Sequence, residues 1–282
     1  MAVKRVGILY HPMIEAANAL ASELEGFLGN HGVSVWLSSA WEGEKNKTQV
    51  EGTDLVLSIG GDGTILRAAQ AVIPGVTPVI GINLGRLGFM TELSAREALD
   101  VLPRLLAGKG WIDERAVVEV GLSGTGQVLY ALNDVVVARG AIARIISIEA
   151  SINDEQLAVY RTDGVIVATA TGSTAYSLAA GGPILHPRSE EFVFLPIVPH
   201  LSLPYPLVLL PGAVVKLRVI TTHEATLSVD GHIHLPLSSG DSITVRLSAC
   251  RARFLRIHPD NFYGSLEPRL KGKREIGTSG KS

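Results

Sequence analysis

Asp54-Leu55-Val56-Leu57-Ser58-Ile59-Gly60-Gly61-Asp62-Gly63-Thr64 is the stretch on which the fold turns. Residues 54–59 are a short run rich in branched apolar side chains and bounded by turn formers, as in an inner strand of a parallel sheet. Beyond the glycines, Ile65, Leu66, Ala69, Val72 and Ile73 recur at helical spacing and predict a helix over 64–72. Strand, glycine turn and helix N-terminus together let backbone N–H groups face an anion, and glycine lacks the Cβ that would hold a phosphate away. Asp62 is out of place in a simple anion site, because it would repel phosphate. It fits a metal ligand or an acceptor for the proton of an attacking hydroxyl. The competing reading is a tight turn in which Asp62 caps the helix.

Working outward, the first ~110 residues alternate strand and helix signals, the pattern of a parallel α/β sheet. Strands are expected at 3–10, 33–37, 54–59 and 77–82, and helices at 14–30, 64–72 and 95–107. The last helix has a capping box, Ser94 with Glu97, and Pro103 inside it predicts a kink or an early stop. After Trp111 strand signals follow one another at 117–122, 128–137, 145–152, 165–168, 214–220, 225–229, 242–247 and 252–257. A single helix is expected between them, at 173–180. The expected division is an α/β domain over 1–112, a β-rich domain over 113–257, and a segment 258–282 that rejoins the first. The tail 271–282 reads as solvated.

At 282 residues the chain is long enough for two cores. With 46% hydrophobic and 18% charged residues it is globular, and a net charge of −2 argues against nucleic-acid binding by general attraction. The lone cysteine, Cys250, leaves no internal disulfide or cysteine-based zinc site and fits a reducing cytoplasm. The first ten residues read as a strand and not as a secretory signal. The apolar stretch 192–215 is broken by Pro196, Pro199, Pro204, Pro206 and Pro211, so buried strand and loop are expected there, with no membrane partner.

Further motifs lie at the ends of strands. Asn83-Leu84-Gly85-Arg86-Leu87-Gly88-Phe89 leaves its strand at the same sheet edge as Asp62. Arg86 there suits a phosphate and Phe89 an apolar ligand face, or the segment is an ordinary loop. Asn133-Asp134 interrupts an apolar strand, so one polar group is buried or faces a cleft, unless a bulge turns it away. Asp163-Gly164 opens the strand that runs to Gly172-Ser173-Thr174-Ala175-Tyr176-Ser177. Its hydroxyls either cap a helix or, beside Tyr176, suit a nucleoside. His232 and His234 share a face of a strand-like segment without a third ligand nearby.

Taken in order, GGDGT at 60–64, NLGRLGF at 83–89, ND at 133–134, DGVIVATATGSTAYSLAAGGPI at 163–184 and DG at 230–231 resemble the NAD kinase family over most of the chain. The resemblance implies a Rossmann-like α/β domain followed by a β-rich domain. It implies phosphorylation of the adenosine ribose 2′-hydroxyl of NAD to give NADP, with ATP or polyphosphate as donor, a divalent metal such as Mg2+, and a homodimer or homotetramer. By position, Asp62 would accept the proton, with Gly63 beside the substrate. Gly60, Gly61, Gly63 and Thr64 would cradle donor phosphates. Phe89, Asn133, Asp134, Asp163, Thr174, Ala175, Tyr176, Ser177, Leu178 and Ala179 would bind NAD, with Tyr176 against the adenine. Arg67, Arg144 and Arg161 fall where the family often contacts substrate. The chain departs from many bacterial members at Ala170, at Tyr205-Pro206 and at His232, so Tyr205 and His232 stay outside the candidate site. Direct metal ligands are unknown. A lipid kinase sharing the GGDGT turn and a catalytically silent NAD(P) sensor are the competing functions. The first should lack the 163–184 segment, and the second has no need of Asp62.

Overall fold

The computed structural model describes residues 3–85, 88–140, 144–200, 205–221 and 223–270, with side chains given up to residue 266. Arg86 and the tail 271–282 lie outside the described residues.

The first half is a wound α/β unit: β1 (Arg5–Tyr10), α1 (Glu15–Asn30), β2 (Ser34–Ser39), α2 (Gly43–Gln49), β3 (Leu55–Ile59), α3 (Asp62–Val72), β4 (Val79–Asn83), the short β5 (Leu93–Ser94) and α4 (Ala95–Leu106). Its strands run parallel in the order β2-β1-β3-β4, with β5 beside β4. β3 and β4 are buried along their whole lengths, as their unbroken apolar runs require. α1 lays Ala17, Leu20, Ala21, Leu24 and Leu28 on the sheet, one face of a 3.6-residue period. The Ser94–Glu97 capping box forms as expected. Pro103 does not stop α4, which runs one turn further to Leu106. The polar α2 was absent from the sequence pattern. It is held by Lys45–Glu42 and Lys47–Glu44 pairs and by buried Asn46, whose amide donates to Ser39 O at 2.8 Å.

The second half contains β6 (Trp111–Leu122), β7 (Val128–Ala131), β8 (Asp134–Arg139), β9 (Ile146–Ile152), β10 (Glu155–Thr162), β11 (Gly164–Ala168), α5 (Tyr176–Ala179), β12 (Phe192–Ile197), β13 (Leu207–Leu209), β14 (Val214–Val219), β15 (Ala225–Val229), β16 (Ile233–Leu237), β17 (Ser242–Arg256) and α6 (Phe262–Leu270). Two sheets face each other. One is antiparallel, β13-β12-β11-β8-β15-β16. The other continues the first half: β10-β9-β14-β17 adjoins β4, with β6 pairing β17 and β7, so the expected parallel sheet is part of a mixed sheet of eleven strands among the described residues. Val118, Ile148, Val215 and Val245 of this sheet pack against Val137, Val167, Phe192 and Phe194 of the other.

β6 begins at Trp111, six residues before its expected start, and three further elements depart more deeply from expectation. The run 128–137 is two strands, because the chain leaves β7 in one sheet at Leu132-Asn133 and enters β8 in the other. The helix at 173–180 is a 3-10 turn, Gly172–Thr174, and then α5, separated by a non-helical Ala175 (φ −103°, ψ −124°). The strands at 242–247 and 252–257 are one strand, β17, whose register against β6 shifts between Leu247 and Arg251.

Candidate functional site

The glycine turn sits at the C-terminal edge of β3. Gly60 has φ +154°, and a Cβ there would lie 2.8 Å from Thr64 Cβ, so the turn closes only with glycine. Gly61 is the N-cap of α3, and the helix begins two residues earlier than its apolar spacing suggests, at Asp62. Asp62 does not cap the helix. Its half-buried carboxylate turns to the opposite loop, where Phe89 N–H donates to Oδ2 at 2.8 Å and Met90 N–H to Oδ1 at 3.1 Å. Gly88 makes room for it, since a Cβ at Gly88 would come within 2.5 Å of Asp62 Cγ and Oδ2. Gly88 N–H is itself held by Thr91 Oγ1 at 2.8 Å.

One cavity lies against the loop that holds Asp62 and another against the turn itself. The first, of about 380 Å³, is lined by Phe89, Trp111, Arg115, Thr174, Arg256 and Phe262 among others. The second, of about 480 Å³, lies over the start of α3, against Gly63, Thr64, Arg67, Trp41, His11 and His232. Arg67 stacks its guanidinium 4.6 Å from the Trp41 ring centroid, and His11 meets the same ring edge-on at 4.5 Å. Partial burial draws the Arg67 pKa below its usual value.

Below the turn, buried Asp230 organises the strand break at Leu132-Asn133. It accepts from Gln70 Nε2 (2.6 Å), Leu132 N–H (2.9 Å), Asn133 N–H (2.7 Å) and Asp134 N–H (3.1 Å). Burial raises its pKa against the pull of those donors. Asp134 is only 6% exposed, and burial, then the neighbouring Asp230 charge, push its pKa up to about 7. The folded protein thus holds a proton on Asp134 that the unfolded chain releases near pH 4, so folding loses stability from this group as pH rises from about 4 to 7. Asp134→Asn is therefore expected to raise the melting temperature by roughly 5 °C at pH 8 and by less at pH 5. Melts at the two pH values check this, and an equal shift at both would remove the titration of Asp134 as its cause.

Asn133, half-buried, meets the hydroxyl-rich segment here: Thr169 N–H donates to Asn133 O at 2.9 Å and Thr169 Oγ1 to Leu132 O at 2.5 Å. Thr174 and Ala175 are half-buried, Tyr176 is 47% exposed with its ring free to stack, and Ser177 is buried with an unpartnered hydroxyl. Leu178 is half-buried and Ala179 exposed.

Of the expected site residues, Phe89 and Thr174 line the first cavity and Gly63 and Arg67 the second, while Asp62 is bonded to the loop of Phe89 and Met90 and Asn133 to Thr169. Asp163 lies apart from Asp134. Asp163 precedes Gly164, which pairs with Ala138, whereas Asp134 pairs with Ala168 at the other end of β11. Asp163 is instead bonded to Arg139 at 2.9 Å, while Arg144 and Arg161 are exposed. Sequence reasoning missed His11, Trp41, Arg115 and Arg256, and it set His232 aside. The alternation of Ala252, Phe254 and Arg256 toward the interior was the available signal for the last. Among the described residues no three His, Cys, Asp or Glu side chains form a metal cluster, so His232 and His234 lack the companions a metal needs.

Residues 17–110 match the model of the ATP-NAD kinase N-terminal domain and 132–257 that of the ATP-NAD kinase C-terminal domain. A protein of Dehalococcoides mccartyi (strain BAV1) named NAD kinase is 46% identical over 277 residues, 96% of this chain and 98% of that protein. The chain belongs to the NAD kinase family. Among solved structures, yeast NADH kinase complexed with NADH superposes with a TM-score of 0.83 at 25% identity, covering 98% of this chain and 90% of that one. An NAD kinase from Archaeoglobus fulgidus in complex with ATP gives 0.77 at 26% identity, covering 94% and 98%.

Proposed function

We infer that this protein transfers a phosphoryl group from ATP to the 2′-hydroxyl of the adenosine ribose of NAD, giving NADP. The observation that carries the reading is the hold on Asp62: two backbone amides fix a carboxylate at the mouth of a glycine turn, with a cavity against Phe89 and another against Gly61, Gly63 and Thr64. Phosphoryl transfer through a loose transition state needs positioning and charge neutralisation more than a strong base. Asp62 accepts the hydroxyl proton late, as that oxygen becomes acidic. Gly61 and Gly63 offer the phosphates backbone amides at the positive end of α3, while Gly60 and Thr64 hold the turn, their own amides donating to Ile82 O and Gly61 O at 2.9 Å. Asn133, Asp134 and 174–179 receive the adenosine, with Tyr176 against the base and Phe89 on the other wall. Arg67 and Gly63 serve the neighbouring cavity, and a dinucleotide is long enough to reach both sides of the turn.

Magnesium is the cation in this reading. The lack of a carboxylate cage among the described residues fits an ion carried by the donor's phosphates and by water, where it would neutralise phosphate charge. Arg144, Arg161 and Asp163 belong to the site of a second copy in a homodimer or homotetramer, which the place of Asp163 before the end of β11 remote from Asp134 supports. The division at residue 112 and the returning segment after 257 are part of the proposal. His258 N–H on Glu92 at 2.8 Å and Arg188 on Asp260 at 3.2 Å support a segment that touches both halves. No helix among the described residues is long and apolar enough to cross a membrane. Cytoplasmic residence is proposed with the half-buried free thiol of Cys250 as its support.

The test is NADP formation from NAD with magnesium, using ATP and inorganic polyphosphate in parallel. NAD binding without turnover on either donor would favour the sensor. In the same assay Gly88→Ala is expected to lower kcat about 100-fold, because the added methyl displaces the Asp62 carboxylate while the backbone φ tolerates it. Unchanged kcat would show that the carboxylate need not sit where it does.

A further inference from the structure

A buried ionic cluster lies behind the loop that grips Asp62, and no step above uses it. Arg256, the last residue of β17, is 6% exposed. Its Nη1 donates to Met90 O at 3.0 Å and to Glu92 Oε2 at 3.2 Å, and its Nε donates to Asp113 Oδ2 at 3.2 Å. Asp113, 3% exposed, also accepts from Arg115 Nε at 2.8 Å, and burial of that carboxylate is outweighed by the two guanidiniums, which hold its pKa low. Glu92 Oε1 accepts from Ile257 N–H at 2.7 Å and His258 N–H at 2.8 Å. The end of β17 is thereby fastened to residues 90–92.

Met90 stands between the two systems. Its N–H holds Asp62 at 3.1 Å, and its C=O is held by Arg256 at 3.0 Å. A planar guanidinium can serve a carbonyl on one side and two carboxylates on others, which the point charge of a lysine cannot do with the same geometry. We propose that Arg256 is a positioning residue for phosphoryl transfer: it fixes the 88–91 loop so that the Phe89 and Met90 amides hold the Asp62 carboxylate in place. The inference rests on the reading of Asp62 as the proton acceptor. The cluster itself is a poor phosphate site. Arg115, Arg188 and Arg256 are each paired, with Asp113, Glu92 and Asp260 among their partners.

The experiment is a double-mutant cycle between Arg256→Lys and Asp62→Asn, with kcat and both KM values measured. Arg256→Lys keeps the buried charge. It is expected to lower kcat about 10- to 100-fold with KM for NAD and ATP changed by less than about threefold. In the Asp62→Asn background it is expected to change kcat by less than about twofold, since its effect passes through that carboxylate. Losses that multiply in the double mutant, or a KM effect with kcat intact, would overturn the proposal. Near wild-type turnover in Asp62→Asn alone would instead overturn the reading beneath it. Should Arg256→Lys fail to fold, Glu92→Gln, which keeps the Oε1 acceptor, is expected to lower kcat about threefold and to be silent in the Asp62→Asn background; multiplying losses there would also overturn the proposal.

Discussion

Asp62→Asn is expected to reduce NADP formation by about 100- to 10,000-fold while KM for NAD stays within about threefold. The substitution removes a proton acceptor and keeps nearly the same volume. One loop amide retains an oxygen acceptor, and the other loses its partner, because the asparagine NH2 group is a donor. The surfaces on 133–134 and 174–179 proposed to bind NAD are untouched. NAD should therefore stabilise the variant in a thermal shift as it does the parent. Turnover close to the parent's would take Asp62 out of the chemistry, and loss of NAD stabilisation would make it a binding residue.

The largest effect on stability is expected at Gly172. A Cβ there would lie 2.7 Å from Asn133 Cα and closer still to its carbonyl carbon and oxygen, so the obstruction is backbone and no side chain can swing aside. Gly172→Ala must push the 169–174 turn away from the strand break and so separate the two segments that meet there. Overpacking against backbone at a buried site is expected to cost on the order of 3–5 kcal/mol. That corresponds to a fall of roughly 10 °C in melting temperature for a chain of this size. Gly121→Ala is the control, because nothing lies within 4 Å of its Cβ position. Equal melts for the two variants would mean that the turn yields without cost.

The sequence made some of this legible and hid the rest for physical reasons. The β3–turn–α3 unit is readable because a wholly buried strand must be apolar throughout and a turn this tight must be glycine. Strands β15 and β14 were placed to within a residue by their alternation. The polar α2 has no apolar stripe to betray it, since its contribution inward is one asparagine. The break at Leu132-Asn133 lies inside continuous apolar texture, where a change of sheet leaves no local mark. Arg115, Asp113 and Arg256 look like solvated strand charges until tertiary pairing buries them. That Arg67 and Phe89 line different cavities depends on the path of the chain between them, which no spacing encodes.

Strand β17 carries a consequence for how the protein is made. It fills the slot between β14 and β4 and pairs with β6, yet it is the last strand in sequence among the described residues. During synthesis the α/β half emerges first, with the Val79 end of β4 lacking the neighbour that Phe254 of β17 supplies, while β5 covers its other end. β14 likewise waits for its partner, and unpaired strand edges of this kind invite the wrong pairing. The glycine turn is translated long before Arg256, the group proposed to steady its loop, leaves the ribosome. A truncated or stalled chain would therefore carry every glycine and the aspartate of the turn and still be inert. On the proposed role of Arg256, synthesis past β17 is, in effect, a late step in assembling the site.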